Sequence, residues 1–315
     1  MYDTTKPYKK QILELIKKTW KTPYVSVEKG TYPVIKKKFS CSEVDHTDGI
    51  GTKGIYHWQK RTFRNAVLDG LAMNLNDLAL MRARPYKLQS HIMIPEDHKT
   101  SILTIIKALS KECRKRKIAI TGGETSVHNN LEGLEISMTV SAFLKKLKSN
   151  KIKKGDVLIG IKSNGLHSNG FTKVREIFSQ KFKSEFVRPT KIYLEAILAL
   201  DKKFNINGMM HITGGAYTKL KDLLKKTDVY IKRDHSLLPQ KIFKEMYKMG
   251  VSDEEMYKTF NCGIGFILSS QPQEADKIIS RLDNFGLKSD VIGQATSGTG
   301  RIIIESLFSK NKVEF

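Results

Sequence analysis

His46-Thr47-Asp48-Gly49-Ile50-Gly51-Thr52-Lys53-Gly54 decides between two architectures. As a pattern, Gly49, Gly51 and Gly54 satisfy G-x-G-x-x-G, and Asp69 follows at about the twenty-residue distance of a dinucleotide-binding fingerprint. A dinucleotide fold lays a bare pyrophosphate against such glycines, yet here Asp45 and Asp48 stand at the mouth of the loop. No anion fits beside them unless a cation intervenes. The G-x-x-x-x-G-K-[ST] spacing of a P-loop is also absent. What remains is a carboxylate at a strand end holding Mg²⁺, with glycine N–H groups approaching phosphate and Lys53 as a point charge.

Outward from this stretch the chain alternates helix and strand patterns. Residues 9–20 place Ile12, Leu15, Ile16 and Thr19 on one helical face. Phe63, Val67, Leu71, Leu75 and Leu78 predict a helix over 63–81. Thr100 or Ser101 is the expected cap of a third, with Ile102, Ile105, Ile106, Leu109 and Cys113 buried. Ile118–Ile120 reads as a short strand ending at Gly122-Gly123. Residues 134–142 alternate strictly, Leu134, Ile136, Met138, Val140 and Ala142 against Glu135, Ser137, Thr139 and Ser141, which predicts a strand with one buried face.

The lysine-rich run Lys145–Lys154 marks an expected boundary between domains 1–148 and 149–315. Beyond it the patterns predict strands at 157–161, 210–213, 229–231, 264–268, near Val291 and at 302–304. Helices are expected from Phe171, from Pro189, over 217–226, from Pro239, from Ser252 (a capping box with Glu255) and over 274–285. The fold class is therefore mixed α/β in two domains, which suits 315 residues.

Composition narrows the function. With 40% hydrophobic and 28% charged residues the chain is neither disordered nor collagenous. The longest apolar runs, such as Ala196–Leu200, are far short of a membrane span, so no membrane partner is expected. No signal-peptide layout opens the chain and Cys41, Cys113 and Cys262 form no framework, so a reducing, cytoplasmic setting is expected. Lys and Arg total 55 against 32 acids, a net charge of +23. Nucleic acid is one reading of that excess. Scattered doublets such as Lys17-Lys18 and Lys225-Lys226, without a recognition motif, favour solvated faces and an anionic small molecule.

Two further carboxylates are candidates for the same cation. Asp77 follows Asn76 in an otherwise apolar helix, and Glu124 follows Gly122-Gly123 at an expected strand end. Either alone is commonly a solvent-facing acid; with Asp48 they make a hard-cation set. In the second half, Ser163–Gly170 is a small, polar strand-to-helix turn, an anion nest in which His167 is either a proton carrier or a cap. Thr213-Gly214-Gly215 repeats the logic as a second phosphate seat. Cys262, in Asn261–Gly265, reads as a small buried residue.

These motifs, with Ala72–Leu78, Gly122–Thr125, Gly155–Gly160, Arg188–Tyr193, His211–Gly215 and Thr259–Gly265, resemble in order the signatures of the phosphoribosylformylglycinamidine cyclo-ligase (aminoimidazole ribonucleotide synthetase) family. The resemblance implies an N-terminal α/β domain, ATP-binding and dimerising, whose sheet pairs with a second copy's into a barrel, and a C-terminal α/β sandwich. It implies a homodimer acting on a small ribonucleotide. ATP phosphorylates the amide oxygen of formylglycinamidine ribonucleotide, an amidine nitrogen attacks the activated carbon, and phosphate leaves. By motif match it makes Asp48, Asp77 and Glu124 the metal residues. Gly49, Gly51, Thr52, Lys53, Asn76, Glu124, Thr213, Gly214 and Gly215 become ATP or phosphate contacts. His167 and Asn169 become substrate or proton-transfer residues, and Asp69 a supporting acid.

The chain departs from the pattern in its first 30 residues, at Arg82-Ala83-Arg84-Pro85, at Ser126-Val127-His128 where the family carries Met-Pro, and at Ala216–Lys219. Two alternatives therefore stand beside the ligase: a related ATP-using enzyme with another small-molecule acceptor, and a basic nucleic-acid binder on an inactive scaffold.

Overall fold

The computed structural model describes residues 8–30, 32–179 and 181–315. The fold is mixed α/β and divides into two compact units. One runs to Leu78 and resumes over Ala83–Leu147; the other comprises Ala79–Arg82 and Lys148–Phe315.

The first unit contains, in order, α1 (Lys9–Lys17), β1 (Val25–Glu28), β2 (Val34–Lys37), β3 (Ser42–Gly49), α2 (Lys53–Gln59) and α3 (Phe63–Leu80). They are followed by β4 (Arg84–Ile94), α4 (Lys99–Arg116), β5 (Ala119–Val127) and β6 (Glu135–Leu144). β1 and β2 form a hairpin, and the other strands a sheet in the order β3-β6-β4-β5 with only β4–β5 parallel. Ile136, Met138, Val140 and Ala142 of β6 are buried, as alternation requires of a sheet covered on one side. α3 is the cover. Gly70 lets its backbone settle on Met138 and Ile136, where a Cβ would stand 2.9 Å from the Met138 methyl. The other face of the sheet is polar; Val25 and Val27 of the hairpin cluster with Tyr86 and Ala119, against which Phe143 also packs.

Three expectations are corrected here. β4 was not anticipated, although Leu88, Ser90, Ile92 and Ile94 alternate with exposed or half-exposed neighbours. β5 does not stop at Gly122-Gly123 but runs through them, because its parallel pairing with β4 continues to Val127. Glu124 is thus a mid-strand residue. The cap of α4 is His98, whose Nδ1 accepts from the Ser101 N–H at 3.2 Å.

The second unit contains β7 (Val157–Lys162), α5 (Phe171–Phe178), a 3₁₀ turn at Ser184–Val187, α6 (Leu194–Asp201) and β8 (Gly208–His211). A 3₁₀ stretch at Ala216–Leu223, β9 (Thr227–Ile231), α7 (Lys241–Lys248), α8 (Asp253–Thr259) and β10 (Ile264–Ser270) follow. A 3₁₀ turn at Pro272–Glu274, α9 (Ala275–Asp283), β11 (Ser289–Ser297), β12 (Ile302–Glu305) and β13 (Lys312–Glu314) complete it. Seven strands form one sheet ordered β13-β12-β9-β11-β7-β10-β8. The Ser252 cap is present, its hydroxyl accepting from the Glu255 N–H at 3.2 Å. No helix begins at Pro189; the segment stays a loop because Asn164 Nδ2 holds the Pro189 carbonyl at 2.8 Å, and α6 starts at Leu194. The expected helix over 217–226 is instead a 3₁₀ stretch, Ala216–Leu223. No helix among the described residues is long and apolar enough to cross a membrane.

The glycine loop is seated by interlocked backbones. A Cβ on Gly54 would fall on the Leu134 carbonyl oxygen, and one on Gly133 would lie 2.5 Å from Ile55 Cα. Gly54→Ala is therefore expected to cost about 1–3 kcal/mol through overpacking. Urea unfolding measures it, and an unchanged midpoint would show that α2 does not rest on Leu134.

Candidate active site

On the helix-covered face, β3 and α3 bring Asp48 and Asp77 to one imidazole. His46 Nδ1 lies 3.0 Å from Asn74 Oδ1 and Nε2 lies 3.4 Å from Asp77 Oδ2. The hydrogen bond to Asp77 raises the His46 pKa above its ordinary value; burial opposes this, while Asn74 and the charges of Asp77 and Asp48 add to it. Asn74, fully buried, donates to the carbonyls of Asp48 at 3.1 Å and Gly70 at 2.9 Å, which ties the end of β3 to α3. Asp48 Oδ1 accepts the Gly49 N–H at 2.7 Å. Gly51 and Thr52 are exposed at the start of α2, and Asn76 is buried within α3.

Glu124 does not join them. Register pairs Asp48 with Met138 on the covered face, but Gly49, Ser137, His91 and Glu124 form a row on the open one. Successive strand residues face opposite ways, so Glu124 sits on the opposite face from Asp48, and the row spans three strand spacings, roughly 14 Å. Among the described residues no three His, Cys, Asp or Glu side chains form a metal-holding group. The three acids therefore do not form one group; Asp48 and Asp77 both act on His46, and Glu124 stands apart.

Lys53 is also corrected. Its side chain has no exposure, and Nζ lies 2.9 Å from each oxygen of Asp69. His57 Nε2 reaches the same carboxylate at 2.8 Å and its Nδ1 lies 2.8 Å from Thr62 Oγ1. A lysine sealed in this way touches no phosphate; it braces α2 against α3. Burial pushes both the Lys53 and His57 pKa down, against the pull of Asp69.

The open face carries the unit's cavities. One of about 360 Å³ is lined by Gln89, His91, Gly123, Glu124, Ser137 and Thr139. A second, of about 460 Å³, has Trp20, Tyr32 and Ile35 on its walls, with Lys17 and Lys29 among its lining residues. Gln89 and Gly123 line both, so an apolar chamber opens onto a polar groove. His46, Asn74, Gln89 and His91 were missed from sequence; the alternation of β4 was the signal for the last two.

In the second unit the Ser163–Gly170 turn is braced from several sides. Asn261 Nδ2 donates to the Gly165 carbonyl at 2.9 Å and the Leu166 carbonyl at 3.2 Å, and Gln240 Nε2 donates to the Ser163 carbonyl at 2.7 Å. His167 is 1% exposed, its Nε2 is 3.0 Å from Asn164 Oδ1, and its ring lies against Gly265, where a Cβ would stand 2.6 Å from Cε1. Of the two readings of His167, the capping one suits its burial and the contact of Nε2 with Asn164. Asn169 lies beside Gly214, and its buried Nδ2 has no hydrogen-bond partner among the described residues. Lys219 Nζ donates to Thr213 Oγ1 at 3.0 Å, bringing an ammonium to the Thr213-Gly214-Gly215 turn. Lys191 is half-buried, which lowers its pKa.

Glycine-bearing turns after strands, on two mixed α/β units, define a class of two-domain α/β proteins. Residues 39–144 match the AIR synthase related protein N-terminal domain and residues 153–305 its C-terminal domain, and the chain belongs to that family. It is 32% identical over 301 residues to a phosphoribosylformylglycinamidine cyclo-ligase of Saccharolobus solfataricus, covering 93% of this chain and 90% of the relative. It is 35% identical over 267 residues to the enzyme of that name from Methanococcus maripaludis, covering 79% and 76%. In fold it is similar to the hydrogenase maturation protein HypE in complex with ATP, with a TM-score of 0.73 at 14% identity over 99% of this chain and 95% of that one.

The buried brace sets a pH dependence. The folded His57 pKa is depressed below its ordinary 6.5, so the unfolded chain binds that proton more readily and stability falls as the pH drops through about 6.5. His57→Gln is expected to flatten this slope in urea midpoints taken between about pH 5 and 7.5. Asp69→Ala, which strands a buried ammonium, is expected to cost about 3–5 kcal/mol at pH 7.

Proposed function

We propose that this chain is an ATP-dependent phosphoribosylformylglycinamidine cyclo-ligase, closing formylglycinamidine ribonucleotide to aminoimidazole ribonucleotide in purine synthesis. The observation that carries this is the near full-length match, in both directions, to relatives of that name. The reaction needs a seat for a nucleotide, donors for the phosphate that leaves, and a held amide beside a proton acceptor.

The two cavities of the first unit supply the seat. The apolar chamber between Trp20 and Tyr32 and the polar groove beyond Gln89 and Gly123 are seats for a small molecule on the open face, across the sheet from Asp48 and Asp77. Glu124, in that groove, accepts N–H groups of the amidine. Gly51 and Thr52 offer N–H groups to phosphate ahead of α2, with Gly49 shaping the turn and Asn76 inside α3 supporting them. The Mg²⁺ that travels with ATP needs only one or two carboxylates beside phosphate oxygens; Asp48 and Asp77 fit that role, and the ion supplies charge neutralisation. In the second unit Asn169, Thr213, Gly214 and Gly215, with the Lys219 ammonium, form a seat for a phosphate. His167 and Lys53 keep these loops in place. Residues 1–148 act as the ATP-binding and dimerising domain and 149–315 as its companion, in a homodimer.

The expected outcome is that the full chain with ATP, Mg²⁺ and formylglycinamidine ribonucleotide yields ADP, phosphate and aminoimidazole ribonucleotide, and that Asp77→Asn lowers kcat by about 10²–10³. Chelating the metal should stop turnover. ADP release only with a different small-molecule acceptor would replace this reading with that of a diverged relative, which the Ser126-Val127-His128 and Lys219 departures make the competitor to beat.

A further inference from the structure

The second unit gathers cations without acids at one place. Lys219 is half-buried, and its Nζ donates to the Thr213 hydroxyl at 3.0 Å. Among the described residues it meets no carboxylate. An ammonium has three hydrogens to give, and a partly desolvated cation is costly until an anion or further acceptors meet it. Beside it Gly214 and Gly215 are exposed. Their turn closes through other groups, the Ala216 N–H donating to the Thr213 carbonyl at 2.6 Å and the Thr218 N–H to the Gly215 carbonyl at 3.0 Å. The N–H groups of Gly214 and Gly215 take no part in these closures. Gly215 at φ +76° and Ala216 at φ +41° hold the corner in the left-handed region, which an alanine adopts only at a cost.

Two neighbouring segments complete the seat. Asn169 lies against Gly214, where a Cβ would stand 3.5 Å from Asn169 Oδ1, and the buried Asn169 Nδ2 has no hydrogen-bond partner among the described residues. Ser168 Oγ lies 2.9 Å from Thr190 Oγ1, and Arg188 Nη1 donates to the Asn164 carbonyl at 3.0 Å, which ties residues 188–193 to the 163–170 turn. The three stretches 163–170, 188–193 and 211–221 carry Arg188, Lys191, Lys219 and Lys221, and no Asp or Glu. A phosphate that arrives on Mg²⁺ is met by one or two carboxylates as well. These stretches offer none, so the phosphate they suit comes without a metal.

We propose that Lys219 is a specificity-determining contact of this chain, binding the phosphate monoester of the ribonucleotide together with Asn169 and the N–H groups of Gly214 and Gly215, without a divalent ion. The inference rests on the cyclo-ligase reading above and deepens it, since it says which of the two phosphorylated reactants the second unit holds. ATP brings its triphosphate on Mg²⁺ and suits Asp48 and Asp77. A monoester carries about −1.5 to −2 charge at neutral pH and three acceptor oxygens, which match an ammonium and a set of N–H donors. Inorganic phosphate, a product of the reaction, shares that chemistry and competes for the same seat.

The test uses the full-length protein in two arms. In the first, calorimetric titration without metal compares ribose 5-phosphate, inorganic phosphate and ribose. The two phosphates are expected to bind and ribose is not. Lys219→Met should weaken both by about 10–100-fold, and Lys219→Arg should keep most of the affinity. Unchanged thermal midpoints would show that the variants are folded. No binding to the wild type, equal binding by Lys219→Met, or binding that needs Mg²⁺ overturns the seat. In the second arm, steady-state kinetics with ATP, Mg²⁺ and formylglycinamidine ribonucleotide read its role. Lys219→Met should raise the ribonucleotide KM by a like factor and spare kcat and the KM for ATP. Inorganic phosphate should inhibit the wild type competitively with the ribonucleotide, and this inhibition should weaken in Lys219→Met. A raised KM for ATP instead gives the seat to the nucleotide and overturns the proposal while the cyclo-ligase stands. A wild-type protein without turnover removes the cyclo-ligase reading and the ribonucleotide as ligand, while the calorimetry still judges the seat.

Discussion

The geometry of the first unit depends on one carboxylate that never meets water. Asp69 on α3 closes both oxygens on Lys53 and one on His57, the two buried polar residues of α2. Taking a lysine out of water is costly, and only a partner in direct contact repays it. The pair can form in one relative position of α2 and α3, and the Gly54–Leu134 and Gly133–Ile55 approaches then admit no slack. The exposed Gly51-Thr52 corner inherits that rigidity. A loop that offers backbone N–H groups to an anion gains most when its donors are already in place.

The second constraint is the period of a strand. Because neighbours on β3, β4, β5 and β6 point to opposite faces, a single sheet keeps its polar chemistry in two separate places. One face gives Asp48 and Asp77 to His46 at the edge of the α3 interface. The other gives a groove of His91, Glu124, Ser137 and Thr139. A list of acidic residues cannot show this division; parity within each strand does.

That explains what was legible in the sequence and what was not. β6 announced itself by strict alternation, and the Ser252 cap by its spacing from Glu255, because both are local signals. β4 alternates too, yet it opens with Arg84-Pro85 and carries a register shift between Pro85 and Lys87, and those features hid it. With β4 unseen, β5 had no partner to carry it through Gly122-Gly123, and Glu124 was taken for a strand-end acid. Lys53 was misread because spacing places it beside phosphate-binding glycines but says nothing of depth. Its burial follows from Asp69, sixteen residues on, through a contact between two helices. In the second unit the Ser163–Gly170 turn was visible, whereas the burial of His167 depends on Gly265, which no local pattern connects to it.

Departures from the family pattern are most informative where the structure shows them bonded. Arg82, which belongs with the second unit, pairs with Asp201 at 2.8 Å and donates to the Ile206 carbonyl at 2.9 Å, so it is a structural anchor. Lys219 instead donates its ammonium to Thr213, on the Thr213-Gly214-Gly215 turn. Ser126 and His128 join His91 in a chain of hydrogen bonds on the helix-free face of the sheet. A surface residue under no constraint has no reason to hold two imidazoles on one hydroxyl, since ordering side chains in water costs entropy that a single exposed bond barely offsets. The first departure stabilises a unit; the other two place polar and cationic side chains in local hydrogen bonds. Such additions adapt the site and leave the architecture unchanged, which is why the family is legible through them.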